Sequence, residues 1–198
     1  MWATSTLKSL RRRVEMIERA AALPGRTRER MIAMVEADDV YFRLHPHHYR
    51  ALQTVKIAAL LGRNVPNRED AVEKCERRLI ILLSDVIGEG LKAGDLWLGR
   101  TRSPGELAFT VWTLAFGTRS LMDTKAAIWR VSAEEGLRLA RETTDVLLDA
   151  IGWEPFSHEW DYAATRERIA GELFNFELED AKRLRLPAVG GKNRLRKP

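Results

Sequence analysis

The chain has 198 residues, a single cysteine and a net charge of +5. No uncharged segment approaches the ~20 residues that a membrane span needs, and the N-terminus lacks the apolar core of a signal peptide. Cys75 stands alone, which excludes a disulfide framework and a cysteine metal cluster and is typical of a reducing compartment. We therefore expect a soluble, cytoplasmic protein that does not associate with membranes.

The charge is unevenly distributed along the chain. Residues 1–30 carry eight Lys/Arg against three Glu, and residues 182–198 carry seven Lys/Arg and no acid, so the remainder has a net charge of −7. A protein that binds nucleic acid through its main body more often has a basic body. The basic ends are better explained as solvated termini.

Three helices are predicted in the first third of the chain from apolar residues at helical spacing. The first spans residues 4–23 and is stopped by a Pro-Gly pair. The second spans residues 27–44, with Thr27 as its N-cap. The third follows a His-Pro break and spans residues 46–61, where Gly62 ends it.

Two groups of charged residues lie within these helices. Arg11, Arg12 and Arg13 are expected to spread around the polar sides of the first helix. Asp38 and Asp39 interrupt the apolar pattern of the second helix. Either both face water, or Asp38 points inward as a polar anchor for a ligand, and the spacing leaves that choice open.

Four further helices are predicted, at residues 67–93, 103–122, 132–152 and 161–184. Asn67 or Asp70 is expected to cap the first of these, and Ser132 with Glu135 forms a capping box on the third. No strand-like alternation and no internal repeat is found, so the predicted fold is all-α. Residues 1–185 are expected to form one helical domain, and the basic tail, residues 186–198, to be disordered.

The predicted helix at residues 103–122 is the hub of the chain. Ser103 and Glu106 form a capping box, and residues 107–118 contain no charge. A helix that is apolar on every side must be covered on every side, either within one core or by a cavity and a second packing surface. Its aromatic stripe comprises Phe109, Trp112 and Phe116, and its stripe of small side chains comprises Ala108, Val111, Ala115 and Thr118.

The sequence lacks the motifs of common enzymes: no dinucleotide fingerprint, phosphate-binding loop, zinc-protease motif or nucleophile elbow is present. His45, His47 and His48 invite a metal hypothesis, but no cysteine or acidic cluster accompanies them, and a helix boundary is the favoured interpretation. We therefore expect neither an enzyme nor a bound metal or cofactor.

Three segments in succession point to a family. A helix ending in FRLHPHHYRAL, a long helix closing in EGLKAGDL and then SPGELAFTVWTLAFGTRSL occur after a Pro-Gly break. This succession, over residues 7–153, resembles the C-terminal regulatory domain of TetR/AcrR-like transcriptional regulators. The resemblance implies a six-helix regulatory domain that binds a small, largely apolar effector and forms a homodimer, here with an extra C-terminal helix.

The resemblance also implies roles for individual residues. The second to fifth helices would surround the effector, with the aromatic stripe of the hub facing the cavity. The ligand-binding residues would be Met34, Asp38, Tyr41, Tyr49, Leu52, Cys75, Leu79, Phe109, Trp112 and Phe116.

The hub and the sixth helix would pair with their copies in a second chain as a four-helix bundle. The dimer-interface residues would be Ala108, Val111, Ala115, Leu137, Ala140, Thr144 and Leu147.

This family places three helices, including a helix-turn-helix, before the point that matches the start of this chain. No DNA-binding residue is therefore carried over, and DNA would be a partner only if a helix-turn-helix is encoded upstream. We expect either a truncated regulator or a stand-alone sensor domain. The competing interpretation is a helical scaffold protein with a filled interior and no ligand.

Overall fold

The computed structural model describes residues 2–62, 69–97, 103–123 and 132–185. Within these ranges the chain forms eight α-helices and no strand, so the predicted all-α fold is confirmed. No helix in the described part is both long and apolar enough to cross a bilayer. The helices are α1 Trp2–Ala21, α2 Thr27–Leu44, α3 Pro46–Leu60, α4 Glu69–Ala93, α5 Pro104–Asp123, α6 Ala133–Ala150, α7 Tyr162–Leu173 and α8 Asn175–Arg185.

Local signals explain where several helices begin. Ser103 and Glu106 exchange backbone-to-side-chain hydrogen bonds of 2.6 and 3.2 Å, and Ser132 and Glu135 exchange bonds of 2.9 and 3.1 Å. Both predicted capping boxes are confirmed. The predicted N-cap at Thr27 is wrong, because Arg26 holds that position and the Thr27 hydroxyl instead donates to Asp95 at 2.8 Å.

Helix α2 is the centre of the packing, and the predicted hub at residues 103–122, helix α5, is not. It contacts α1, α3, α4, α7 and α8, while α5 packs on α4 and on α6. Because α2 is covered on so many sides, even charged positions along it, Asp38 and Asp39 among them, are buried. The alternative in which these two aspartates face water is therefore wrong. Arg13 of α1 is buried as well, at 2% exposure, and does not lie on a polar side as predicted.

The C-terminal region differs from the prediction of one helix over residues 161–184. The helix breaks at Phe174, whose backbone leaves the helical region (φ −128°, ψ 17°) and whose side chain is fully buried. Phe176, two residues further on, is 84% exposed. The break places the Phe174 ring in the core and leaves the Phe176 ring exposed. The predicted cap Asn67 and the predicted disordered tail at 186–198 lie outside the described residues.

Candidate functional site

Part of the small-residue stripe of α5 faces the core of its own chain. Ala108 is fully buried and Val111 is 2% exposed, and both belong to the hydrophobic core. A side chain that its own chain already covers is closed to a second chain. The assignment of these two residues to a dimer interface is therefore wrong.

The remaining predicted interface residues lie along the contact between α5 and α6 of the same chain, which we call the seam. Ala115, Leu137, Ala140 and Thr144 line one cavity of about 30 Å³ that also borders α2. A cavity of this size holds about one water molecule. Leu147 packs against the core. These residues lie where α6 packs on α5; Thr144 is buried, and the other four are half-buried.

The sides of α5 and α6 that face away from the core carry uncharged residues at helical spacing. Leu121 is 67% exposed and Val146 is 65% exposed. A Cβ added at Gly117 would meet nothing within 4 Å, which leaves room for a second helix to approach closely. We call this surface the outward stripe: Thr110, Thr113, Gly117 and Leu121 of α5 with Leu139, Thr143, Val146 and Ala150 of α6.

Most of the predicted ligand residues lie deep in the protein. Cys75 and Asp38 are 6% and 7% exposed. Trp112 is partly buried against the core, and Phe116 is half-buried. Phe109 is 58% exposed, so its ring lies at the surface and not in an enclosed cavity. The other predicted ligand residues are all at most 3% exposed: Met34, Tyr41, Tyr49, Leu52 and Leu79.

A lysine lies among the aromatic rings. The Lys56 ammonium is 4.3 Å from the ring centroids of both Trp112 and Phe116 and forms an ion pair with Glu76 of α4. The Tyr49 ring lies 6.5 Å from that of Phe116. Burial lowers the pKa of Lys56, although Glu76 acts in the opposite direction. We call Tyr49, Lys56, Glu76, Trp112 and Phe116 the Lys56 cluster; it joins α3, α4 and α5.

Three buried charges lie beside this cluster and join α1, α2 and α5. The Nε of Arg13 donates to Asp38 at 2.6 Å, and a terminal nitrogen of Arg119 lies 3.1 Å from the other oxygen of that carboxylate. Burial alone would raise the pKa of Asp38, but the two guanidinium groups outweigh it and hold the pKa below 3.8. Asp38 is therefore ionised at neutral pH. We call Arg13, Asp38 and Arg119 the Arg13 triad.

The titratable groups next to the triad are held neutral. The Tyr41 and Ser9 hydroxyls are 2.8 Å apart, and burial raises the pKa of Tyr41. The Cys75 thiol donates to the Leu10 carbonyl at 3.7 Å, and burial raises its pKa to about 11. Since a thiol is nucleophilic only as thiolate, Cys75 is poorly suited to covalent catalysis at neutral pH.

Two open grooves lie outside this interior site. One, of about 1380 Å³, runs between α6 and α7, and its charged side chains are largely paired, as Arg166 is with Asp145 at 2.6 Å. The other, of about 620 Å³, runs between α1 and α4 and has Cys75 among its lining residues. Neither groove contains the predicted aromatic stripe.

The three histidines mark a helix boundary. His45 is the C-cap of α2, and its backbone N–H donates to the Tyr41 carbonyl at 2.9 Å. Burial and the neighbouring His48 lower the pKa of His45. Among the described residues no group of three or more His, Cys, Asp or Glu side chains is placed to hold a metal ion.

Sequence reasoning missed three cations of this site: Arg13, Lys56 and Arg119. Arg13 lies on the apolar side of α1, three residues after Leu10 and four before Ile17. A charged residue inside an apolar stripe was the available signal, since such a residue needs a buried partner.

No protein family, no curated protein and no solved structure matches this chain significantly. The functional conclusions below therefore rest on the geometry of the chain and on the succession of its sequence segments.

Proposed function

We propose that this chain is the effector-binding and dimerising domain of a TetR/AcrR-like transcriptional regulator. The observation that carries the proposal is the convergence of aromatic and charged side chains from three helices at Lys56, where Tyr49, Trp112 and Phe116 were expected to bind a ligand. A small number of polar groups placed among aromatic rings is typical of small-molecule sites. The side chains of Lys56 and Glu76 are each 20% exposed, so the cluster is in contact with solvent.

The outward stripe supports dimerisation. It places two adjacent helices with uncharged, exposed faces next to each other, at a point where Gly117 leaves room for close approach. A twofold pairing of this surface with its copy would form a four-helix bundle and cover Leu121, Leu139 and Val146. The proposed interface therefore lies next to the residues that the sequence predicted for it, on the adjacent exposed sides of α5 and α6.

The Arg13 triad supports a route from the ligand site to α1. Asp38 binds Arg13 of α1 on one side and Arg119 of α5 on the other. In the proposed regulator, α1 is the lever that transmits effector binding, as a shift in population between two arrangements. DNA binding is assigned to no residue of this chain and would require a helix-turn-helix encoded upstream.

Light scattering tests the dimer. The expected mass is twice the 22.6 kDa of one chain. Val146→Glu should give monomers, because it places a charge in the middle of the outward stripe. Phe176→Glu is the control, since Phe176 is also an exposed apolar residue, at 84% against 65% for Val146, but lies on α8. A monomeric wild-type protein, or a Val146→Glu variant that stays dimeric, would contradict this interface.

A helical scaffold protein is the second candidate, favoured by the dense packing of the predicted ligand residues. Tyr41 and Tyr49 are each 1% exposed and Leu79 is 2% exposed, as in a filled core. The two functions differ in one measurement. A regulator domain binds phenylnaphthylamine, an uncharged aromatic probe, at the Lys56 cluster, and a Trp112→Ala variant loses that binding; a scaffold protein does not bind it.

A further inference from the structure

The Lys56 cluster and the Arg13 triad together hold more positive than negative charge. Among the described residues, Lys56, Arg13 and Arg119 face Glu76 and Asp38. The neighbouring Asp39 pairs with Arg43, one turn further along α2, and also lies 3.7 Å from Arg119. Counted together, four cations against three carboxylates leave one positive charge in excess. A partly buried charge without a counterpart is costly, and a negative group on a ligand would offset that cost.

The position of Lys56 disfavours a cationic ligand. Aromatic faces attract cations, but here the lysine ammonium already occupies the faces of Trp112 and Phe116 at 4.3 Å. A second cation would be repelled by Lys56 at close range. A ligand that reaches these rings therefore meets an ammonium group first.

The same place offers a hydrogen-bond donor that has no acceptor. Within the described part of the chain, the indole N–H of Trp112 is buried and makes no hydrogen bond. Its ring carries the Lys56 ammonium on one face. Buried donors without a partner are costly, and a carboxylate or sulfonate oxygen satisfies such a donor well.

Aromatic rings extend from this point to the surface. The rings of Trp112 and Phe116 are 5.6 Å apart, and Phe109 continues the row at 6.0 Å from Trp112. Phe109 is 58% exposed, so the apolar body of a ligand could lie along this row while its head group contacts Lys56.

We infer that the Lys56 cluster binds an amphipathic anion, an aromatic or aliphatic body that carries a carboxylate or sulfonate. Lys56 and the Trp112 indole contact the anionic head, and Phe109 and Phe116 contact the body. This inference rests on the proposed effector-binding function and adds the charge of the effector to it.

Isothermal titration calorimetry with two probes tests the charge. Anilinonaphthalene sulfonate and phenylnaphthylamine share one ring system, and only the first carries a negative charge. The wild-type chain should bind the sulfonate more tightly than the neutral probe. Lys56→Met should weaken the sulfonate about tenfold, the worth of one charge-assisted contact, and change the affinity for the neutral probe less than about twofold.

Two variants control this comparison. Lys56→Arg keeps the charge and should retain most of the affinity for the sulfonate. Lys92→Met removes a lysine from the exposed end of α4 and should change neither affinity. Circular dichroism of each variant establishes that it is folded; if Lys56→Met does not fold, the wild-type preference between the two probes decides.

The outcomes separate the two proposals. If the neutral probe binds the wild-type chain as tightly as the sulfonate, or if Lys56→Met weakens both equally, the anionic ligand is excluded while effector binding stands. If neither probe binds, effector binding at this cluster is excluded and the inference fails with it.

Discussion

Two parts of the molecule each bury an arginine and a tryptophan, and they do so differently. In the first, α2 meets residues 145–157: the terminal nitrogens of Arg28 lie within hydrogen-bond distance of five acceptors, on Asp149, Ser157 and three backbone carbonyls. The indole N–H of Trp153 donates to Thr27 at 3.0 Å. In the second, the Lys56 cluster with the Arg13 triad, one positive charge lacks a counterpart and the Trp112 indole N–H lacks an acceptor within the described residues.

This difference separates a structural junction from a site that can accept a ligand. At the junction the polar groups of the protein bind one another, with the Arg28 Nε as the exception among the described residues. Gly90 lets Thr27 and Trp153 approach so closely that an added Cβ would lie 3.1 Å from the Thr27 hydroxyl. At the Lys56 cluster the Trp112 indole N–H has no acceptor among the described residues. Excess donors cost stability in the free protein and provide affinity when an acceptor binds.

Arg28→Met should have the largest effect on stability. The methionine fills part of the space but removes the Arg28 hydrogen bonds to Asp149, Ser157 and three backbone carbonyls. Asp149 and the Pro155 carbonyl keep one other donor each, the Ser157 N–H and the Tyr162 hydroxyl. We expect the free energy of unfolding to fall by about 3–4 kcal/mol, measured by urea denaturation. Arg77→Met is the matched control: this arginine forms an exposed i,i+4 pair with Glu73, and its loss should cost less than about 0.5 kcal/mol. Similar losses in both variants would contradict a junction held by Arg28.

Asp38→Asn should have a smaller effect, about 2–3 kcal/mol at neutral pH, because it leaves two buried guanidinium groups without their carboxylate. The pKa of Asp38 lies below its ordinary value in the folded chain, so its contribution to stability is complete above the unfolded pKa of about 3.9 and is lost as the pH falls through the folded value. The difference between wild type and variant should therefore shrink below about pH 4. A difference that is constant down to pH 3 would show that Asp38 is not an ionised partner of Arg13.

The fold could be predicted where its causes are local. The capping boxes at Ser103 and Ser132 depend on residues three positions apart, and both predictions are confirmed. The break at Phe174 could not be predicted, because the choice between burying Phe174 and burying Phe176 depends on what α8 packs against. Periodicity does not contain that information.

The orientation of α5 shows the same limit. A helix that is uncharged from residue 107 to 118 has no polar side, so the sequence could not tell which of its sides faces the core. The structure buries Ala108 and exposes Phe109, the reverse of the prediction for both. Arg13 and Asp38 are 25 positions apart in sequence, and only their packing pairs them.

Substitutions of Trp153 and Trp112 should have the smallest effects on stability, and they compare the junction with the Lys56 cluster most directly. Trp153→Phe removes a hydrogen bond to Thr27 and leaves a small cavity at a fully buried position, so the free energy of unfolding should fall by about 2 kcal/mol. Trp112→Phe removes an N–H that has no acceptor among the described residues from a partly exposed side chain, and should cost less than about 1 kcal/mol. Both free energies of unfolding are measured by urea denaturation at neutral pH. If Trp112→Phe costs as much as Trp153→Phe, the Trp112 indole already has a partner in the free protein, and the Lys56 cluster resembles the junction and has no spare donor for a ligand.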